Sequence, residues 1–127
     1  MAKTTKILAA SATGLALLLA APTPGAHAAD GERLFNKYCS VCHSLESGRN
    51  KFGPSLSGVV GRMAGSIENY SYSESMRAIG KAWTPEQLDL YLSAPSKIAP
   101  GTKMTFPGLP NGDDRKGLID FLTTIHD

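Results

Sequence analysis

Cys39-Ser40-Val41-Cys42-His43 limits what this chain can fold into more than any other stretch. On a helical turn, side chains three and four residues apart project from one face. Cys39, Cys42 and His43 therefore address one object together: two soft nucleophilic sulfurs with an imidazole beside them. A thioredoxin-like dithiol sits in a βαβ pattern, and none is present here. A zinc site needs further ligands. The chain has no other cysteine, and of its other histidines His27 lies near the N-terminus and His126 one residue from the end. A plain disulfide leaves His43 without a role. A porphyrin uses all three residues. Two thiols add to its two vinyl groups, and the imidazole reaches the iron from the same side. C-x-x-C-H is the attachment signature of c-type haem.

The N-terminus agrees with that reading. Lys3 and Lys6 precede an apolar run from Ile7 to Ala21, and Ala26-His27-Ala28 is an A-x-A site. This is the layout of a cleaved secretory signal peptide, and haem attachment takes place on the exported side. The run is shorter than the ~20 residues a membrane-spanning helix needs, and Pro22, Pro24 and Gly25 break it. We expect residues 1–28 to be the leader and 29–127 one domain, working in the periplasm. Losing Lys3 and Lys6 lowers a formal charge of +2 to zero, with eleven basic and eleven acidic residues left. So balanced a chain is no nucleic-acid binder, and at 42% hydrophobic residues it is too apolar to be disordered. A domain this small is marginal on its own core, so something besides side chains has to thicken it.

The remaining chain reads as all-α, three to five short helices joined by long loops. Asp30 suits the cap of a helix carrying Leu34, Phe35 and Tyr38. Residues 44–71 show no period and read as loop. Tyr72 to Ile79 fits a short helix stopped at Gly80. Thr84-Pro85-Glu86-Gln87 is a strong start: Thr84 caps, Pro85 suits the first helical position, and Gln87 completes a capping box. Leu88, Tyr91 and Leu92 share a face, and Ala94-Pro95 ends that helix. Ile98 to Pro110 reads as loop. A last helix starts near Asn111 to Asp114, with acids at its positive end and a stripe of Leu118, Phe121, Leu122 and Ile125. Nothing alternates as a strand does. Loops this long in a compact domain usually bind something.

Iron in a porphyrin has two axial positions, and His43 fills one. Met63, Met76, Met104 and His126 compete for the other. A methionine is ordinarily core filler. Met76 lies in the short helix and Met63 in a glycine-rich turn. Met104 stands in Pro100-Gly-Thr-Lys-Met104-Thr-Phe-Pro107, held off helix at both ends, and far enough along the chain to approach the opposite face. We choose Met104. A thioether favours the ferrous state and raises the potential.

With these residues in view, the sequence resembles the class I cytochromes c, and within them the short soluble bacterial members akin to mitochondrial cytochrome c. The resemblance covers nearly all of Asp30 to Thr124. It rests on Gly31-x-x-x-Phe35, Cys39-x-x-Cys42-His43, Gly53-Pro54, Gly61-Arg62, Tyr70-Ser-Tyr72, Trp83, Tyr91-Leu-x-x-Pro95 and Pro100-Gly-Thr-Lys-Met104. It implies one haem attached through Cys39 and Cys42, with iron ligands His43 and Met104. It implies that the Pro54 carbonyl accepts from His43 and that Arg62, Tyr72 and Trp83 meet a buried haem propionate. Tyr91 leans on the methionine sulfur, Thr102 adds a polar contact beside the haem, and Gly31 and Phe35 cross Leu118 and Phe121. Without the resemblance, Pro54 is a turn residue, Trp83 core and Arg62 surface.

One departure stands out. Met76 takes a place where many members have an asparagine. It cannot donate a hydrogen bond, and it is a second sulfur that rivals Met104 if that ligand leaves.

The function so implied is one-electron carriage without enzymatic turnover, by a monomer. The donor would be a quinol–cytochrome c reductase, and the acceptor an oxidase or reaction centre. The competing reading is a haem protein with a displaceable sixth ligand, a weak peroxidase or gas sensor. Lys37, Lys51, Lys97 and Lys103 predict a basic face. Asp113, Asp114, Asp120 and Asp127 predict an acidic back.

Overall fold

The computed structural model describes residues 24–126. Most of the expected leader, and Asp127, lie outside the described residues. The elements in chain order are α1 (Pro24–Tyr38), α2 (Glu74–Ala78), α3 (Pro85–Ser93), α4 (Pro95–Ile98) and α5 (Gly112–Thr123). Among the described residues the only β pairing is a single bridge between Met63 and Ala82. The all-α expectation holds, and no described helix is long and apolar enough to cross a membrane.

The frame is the crossing of α1 and α5. Leu34 and Phe35 of α1 are buried against Leu118, Phe121 and Leu122 of α5, and the Phe35 and Phe121 ring centroids lie 6.1 Å apart. Gly31 sets the spacing. A Cβ there would stand 2.2 Å from the Gly117 carbonyl oxygen and 2.5 Å from the Phe121 Cβ, so only glycine lets the two backbones come this close. Of the stripe predicted for α5, Leu118, Phe121 and Leu122 are buried, with Ile119 beside them, while Ile125 lies beyond the end of the helix and is partly covered.

Helix starts follow local chemistry. The Asn111 side chain accepts from the N–H groups of Asp113 (2.8 Å) and Asp114 (3.2 Å), opening α5 with two acids at its positive end. The Thr84 hydroxyl accepts from Gln87 N–H at 3.2 Å, opening α3 with Pro85 behind it. The return half of that box is not made, because the Thr84 N–H donates instead to the Ala82 carbonyl at 2.9 Å. Thr84→Ala is expected to lower stability by about 1 kcal/mol, read as a shifted denaturant midpoint with an unchanged slope.

Three expectations need correction. The first helix does not start at Asp30. It already runs from Pro24, the first described residue, because alanine on the N-terminal side of Asp30 favours helix; Asp30 lies inside it and pairs with Arg33 at 2.8 Å. The helix expected from Tyr72 to Ile79 is only α2, because Ser73 caps it and accepts from Met76 N–H at 3.2 Å. The stretch read as loop from Ile98 follows a single turn, α4, that Pro95 opens.

Arg115 fastens the frame to the loop that carries the site. Its Nε donates to the Asp89 carboxylate at 2.6 Å, tying α5 to α3, and its Nη1 donates to the carbonyls of Leu109 (2.7 Å) and Pro110 (3.0 Å). The side chain is only 15% exposed. Arg115→Met leaves those acceptors unpartnered, and we expect a loss of about 2 kcal/mol, measured by urea unfolding.

Candidate haem site

The attachment segment continues the turn of α1. Cys39 N–H donates to the Phe35 carbonyl at 2.8 Å, and His43 N–H to the Cys39 carbonyl at 2.9 Å. That turn brings Cys39, Cys42 and His43 onto the wall of one cavity of about 440 Å³, within the range of small-molecule sites. Burial, reinforced by Cys42, pushes the Cys39 thiol up to about 11. Cys42 is exposed, so the cavity is open on its side.

His43 Nδ1 lies 2.8 Å from the Pro54 carbonyl oxygen. A carbonyl only accepts, so Nδ1 carries the proton and Nε2 keeps its lone pair. Burial holds the imidazole below its ordinary pKa, partly opposed by the Pro54 bond and helped by the positive charges of Lys51 and Arg62. Burial thus favours the neutral ring that a metal ligand requires. Gly53 is its seat: a Cβ there would stand 2.4 Å from Cε1, 2.7 Å from Nδ1 and 2.9 Å from Nε2.

Met104 is on the same wall. The Tyr91 hydroxyl donates to its sulfur at 3.4 Å, and its own N–H donates to the Thr102 hydroxyl at 3.2 Å. Burial raises the Tyr91 pKa, partly offset by its hydrogen bond with Thr102, so the phenol keeps its proton for the sulfur. The Trp83 ring packs on Tyr91 with centroids 4.9 Å apart. Lys103 donates from its ammonium to the Ser71 carbonyl (2.7 Å), with the Ser71 hydroxyl at 3.1 Å, pinning the methionine loop across the cavity.

Of the predicted site residues, Cys39, Cys42, His43, Pro54, Tyr72, Trp83, Tyr91, Thr102 and Met104 all line the cavity. Arg62 is not on that wall. Its guanidinium donates to the carbonyls of Ser57 (2.8 Å) and Ser55 (2.9 Å). Met76 lines the cavity too, whereas Met63 is half-exposed and, like His126, absent from the wall. Sequence reasoning noted Gly53 without its role and missed Phe52, Phe106 and the Lys103 clamp. The resemblance flagged Gly53; nothing local flags a clamp on Ser71.

The donor set fits a haem. Two thiols, a neutral imidazole and a thioether face one mostly apolar cavity, and among the described residues no Asp or Glu lines it. The comparisons with known proteins agree. The family model Cytochrome c matches residues 28–126, and the chain belongs to that family. The chain is 47% identical over 96 residues to cytochrome c2 of Rhodopila globiformis, covering 76% of this chain and 91% of that one. It is 46% identical over 93 residues to cytochrome c of Stellaria longipes, covering 72% and 86%. It is also 46% identical over 95 residues to the cytochrome c-type cyt cy of Rhodobacter capsulatus, where the match spans 75% of this chain but only 47% of the relative. Membership carries a covalently attached c-type haem, and Cys39 and Cys42 are the two cysteines in position to hold it.

Proposed function

We propose that the protein is an exported one-electron carrier whose haem iron is held by His43 and Met104. One observation carries this reading. The imidazole and the thioether line the same cavity, and each is fixed by its own hydrogen bond, to Pro54 and from Tyr91. His43 and Met104 would hold the iron between them, which would leave the bound haem to exchange electrons. When bound, the haem supplies a ferrous–ferric couple.

The chain's residues tune and hold that couple. The Pro54 carbonyl orients His43 and makes it a stronger donor. The Tyr91 hydroxyl draws density from the Met104 sulfur, which favours the reduced state. An apolar wall without carboxylates penalises the additional positive charge of the oxidised state. Each ~1.4 kcal/mol of such preference is worth about 59 mV in a one-electron couple. Tyr72 and Trp83, on the cavity wall, and Arg62 would be the partners for a haem propionate, with Arg62 also holding the Ser55 and Ser57 carbonyls.

In this reading residues 1–28 are removed on export and 29–127 work in the periplasm as a monomer. A reductase donates the electron, and an oxidase or reaction centre accepts it. The cut after Ala28 falls within α1, leaving Gly31, Leu34 and Phe35 in place on α5. A potentiometric titration of the holoprotein, with carbon monoxide added to the reduced form, tests the function. A single one-electron step at high potential without carbon monoxide binding is expected. Rapid carbon monoxide binding supports the peroxidase or sensor reading instead.

A further inference from the structure

The open side of the cavity carries two apolar side chains that the fold does not use. Val41, between the attachment cysteines, is 72% exposed, and Phe52 is 83% exposed. Scattered apolar residues on a surface need no explanation, but these two occupy one spot. Gly53 N–H donates to the Cys42 carbonyl at 2.8 Å, and the Lys51 ammonium donates to the Ser40 carbonyl. The turn bearing Phe52 is thus bonded to the residues on either side of Val41. The turn is also rigid. Asn50 Nδ2 donates to the Asn69 carbonyl at 3.2 Å, and the Tyr70 hydroxyl donates to the Phe52 carbonyl at 2.7 Å. A stiff backbone holds an aromatic ring out into water, beside the exposed Cys42 and on the rim of the cavity.

The charges nearest this spot are mainly positive. Lys51 adjoins Phe52, Lys103 lines the cavity, and Lys37 lies 4.8 Å over the ring of Tyr38, itself on the wall. Of the carboxylates nearby, Glu46 is paired with Arg49 at 2.8 Å, and Glu68 precedes the Asn69 and Tyr70 that brace the turn. Asp89 and Asp120 are engaged elsewhere, with Arg115 and Lys116. We propose that Val41 and Phe52 are the apolar anchor of the docking face. The partner they fit is an electron-transfer protein presenting an apolar recess rimmed by carboxylates. The proposal rests on the carrier reading and specifies its contact. A preorganised aromatic in a desolvated pocket is the commonest kind of interface hot spot, whereas rim charges mainly set encounter rate and salt dependence.

The test uses the holoprotein and flash-initiated electron transfer to a purified terminal oxidase and from a purified quinol–cytochrome c reductase, at low and high salt. Phe52→Ser and Val41→Ser are each expected to lower the second-order rate constant about tenfold and threefold respectively, and to do so equally at both salt levels. Lys51→Gln is expected to slow the reaction about threefold at low salt only. Reduction of Val41→Ser by ascorbate, which needs no docking face, stays unchanged. If both serine variants react like the parent at high salt, the anchor is refuted and the carrier reading stands. If the parent exchanges electrons with neither complex, the carrier reading falls and the anchor with it.

Discussion

Replacing Met104 with alanine is expected to lower the haem potential by on the order of 200 mV, within the roughly 0.8 V that axial ligands span, and to make the reduced protein bind carbon monoxide. The drop corresponds to about 5 kcal/mol in the ferrous–ferric balance. It is large because two effects vanish together. The thioether that favours ferrous iron is gone, and so is the sulfur that accepts from Tyr91 at 3.4 Å. The fold is expected to survive, since Met104 is only partly buried and its loop keeps the Lys103 clamp on Ser71. Met76 adds a second readout. It is the other thioether on the wall, so Met104→Ala is expected to retain a weak thioether signal that Met104→Ala/Met76→Leu lacks. Identical spectra of the two variants would eliminate Met76 as a ligand.

Gly31→Ala is the substitution expected to cost most stability, about 3 kcal/mol. The added carbon meets the Gly117 carbonyl oxygen and the Phe121 Cβ, and both belong to a helix that cannot yield like a flexible side-chain tip. Moving α1 away opens the contact of Phe35 with Phe121 and loosens Leu118 and Leu122, which also line the haem cavity. Thermal unfolding of the holoprotein reads the effect, as a fall of more than about 10 °C. A midpoint within a few degrees of the parent would mean that the crossing is not close-packed.

How much of this was legible in the sequence differs by kind of interaction. Chemistry written in adjacent residues was readable. Cys39, Cys42 and His43 follow from helical geometry, Thr84 and Asn111 from capping, and Leu118, Phe121 and Leu122 from a 3.6-residue period. Met104 followed from a loop that Pro and Gly hold off helix. What was not readable depends on partners far along the chain. Residues 44–71 have no period because their order comes from side chains holding backbone. The Ser55 hydroxyl donates to the Glu46 carbonyl at 2.6 Å, and Asn50 accepts from Ser55 N–H at 3.0 Å. Arg62 belongs to the same group: its guanidinium donates to the Ser55 and Ser57 carbonyls, contacts that no local sequence pattern announces. The four-residue α4 is too short to show a period, and Asp30 is no cap because the alanine-rich stretch before it is itself helical.

The central claim is that His43 and Met104 together close the iron. The absorption spectrum of the oxidised holoprotein tests it most directly. The expected spectrum is low-spin and c-type, with a thioether-to-iron charge-transfer band that Met104→Ala loses and Met76→Leu keeps. A high-spin spectrum without that band, or a band that disappears with Met76 and not with Met104, would contradict the claim.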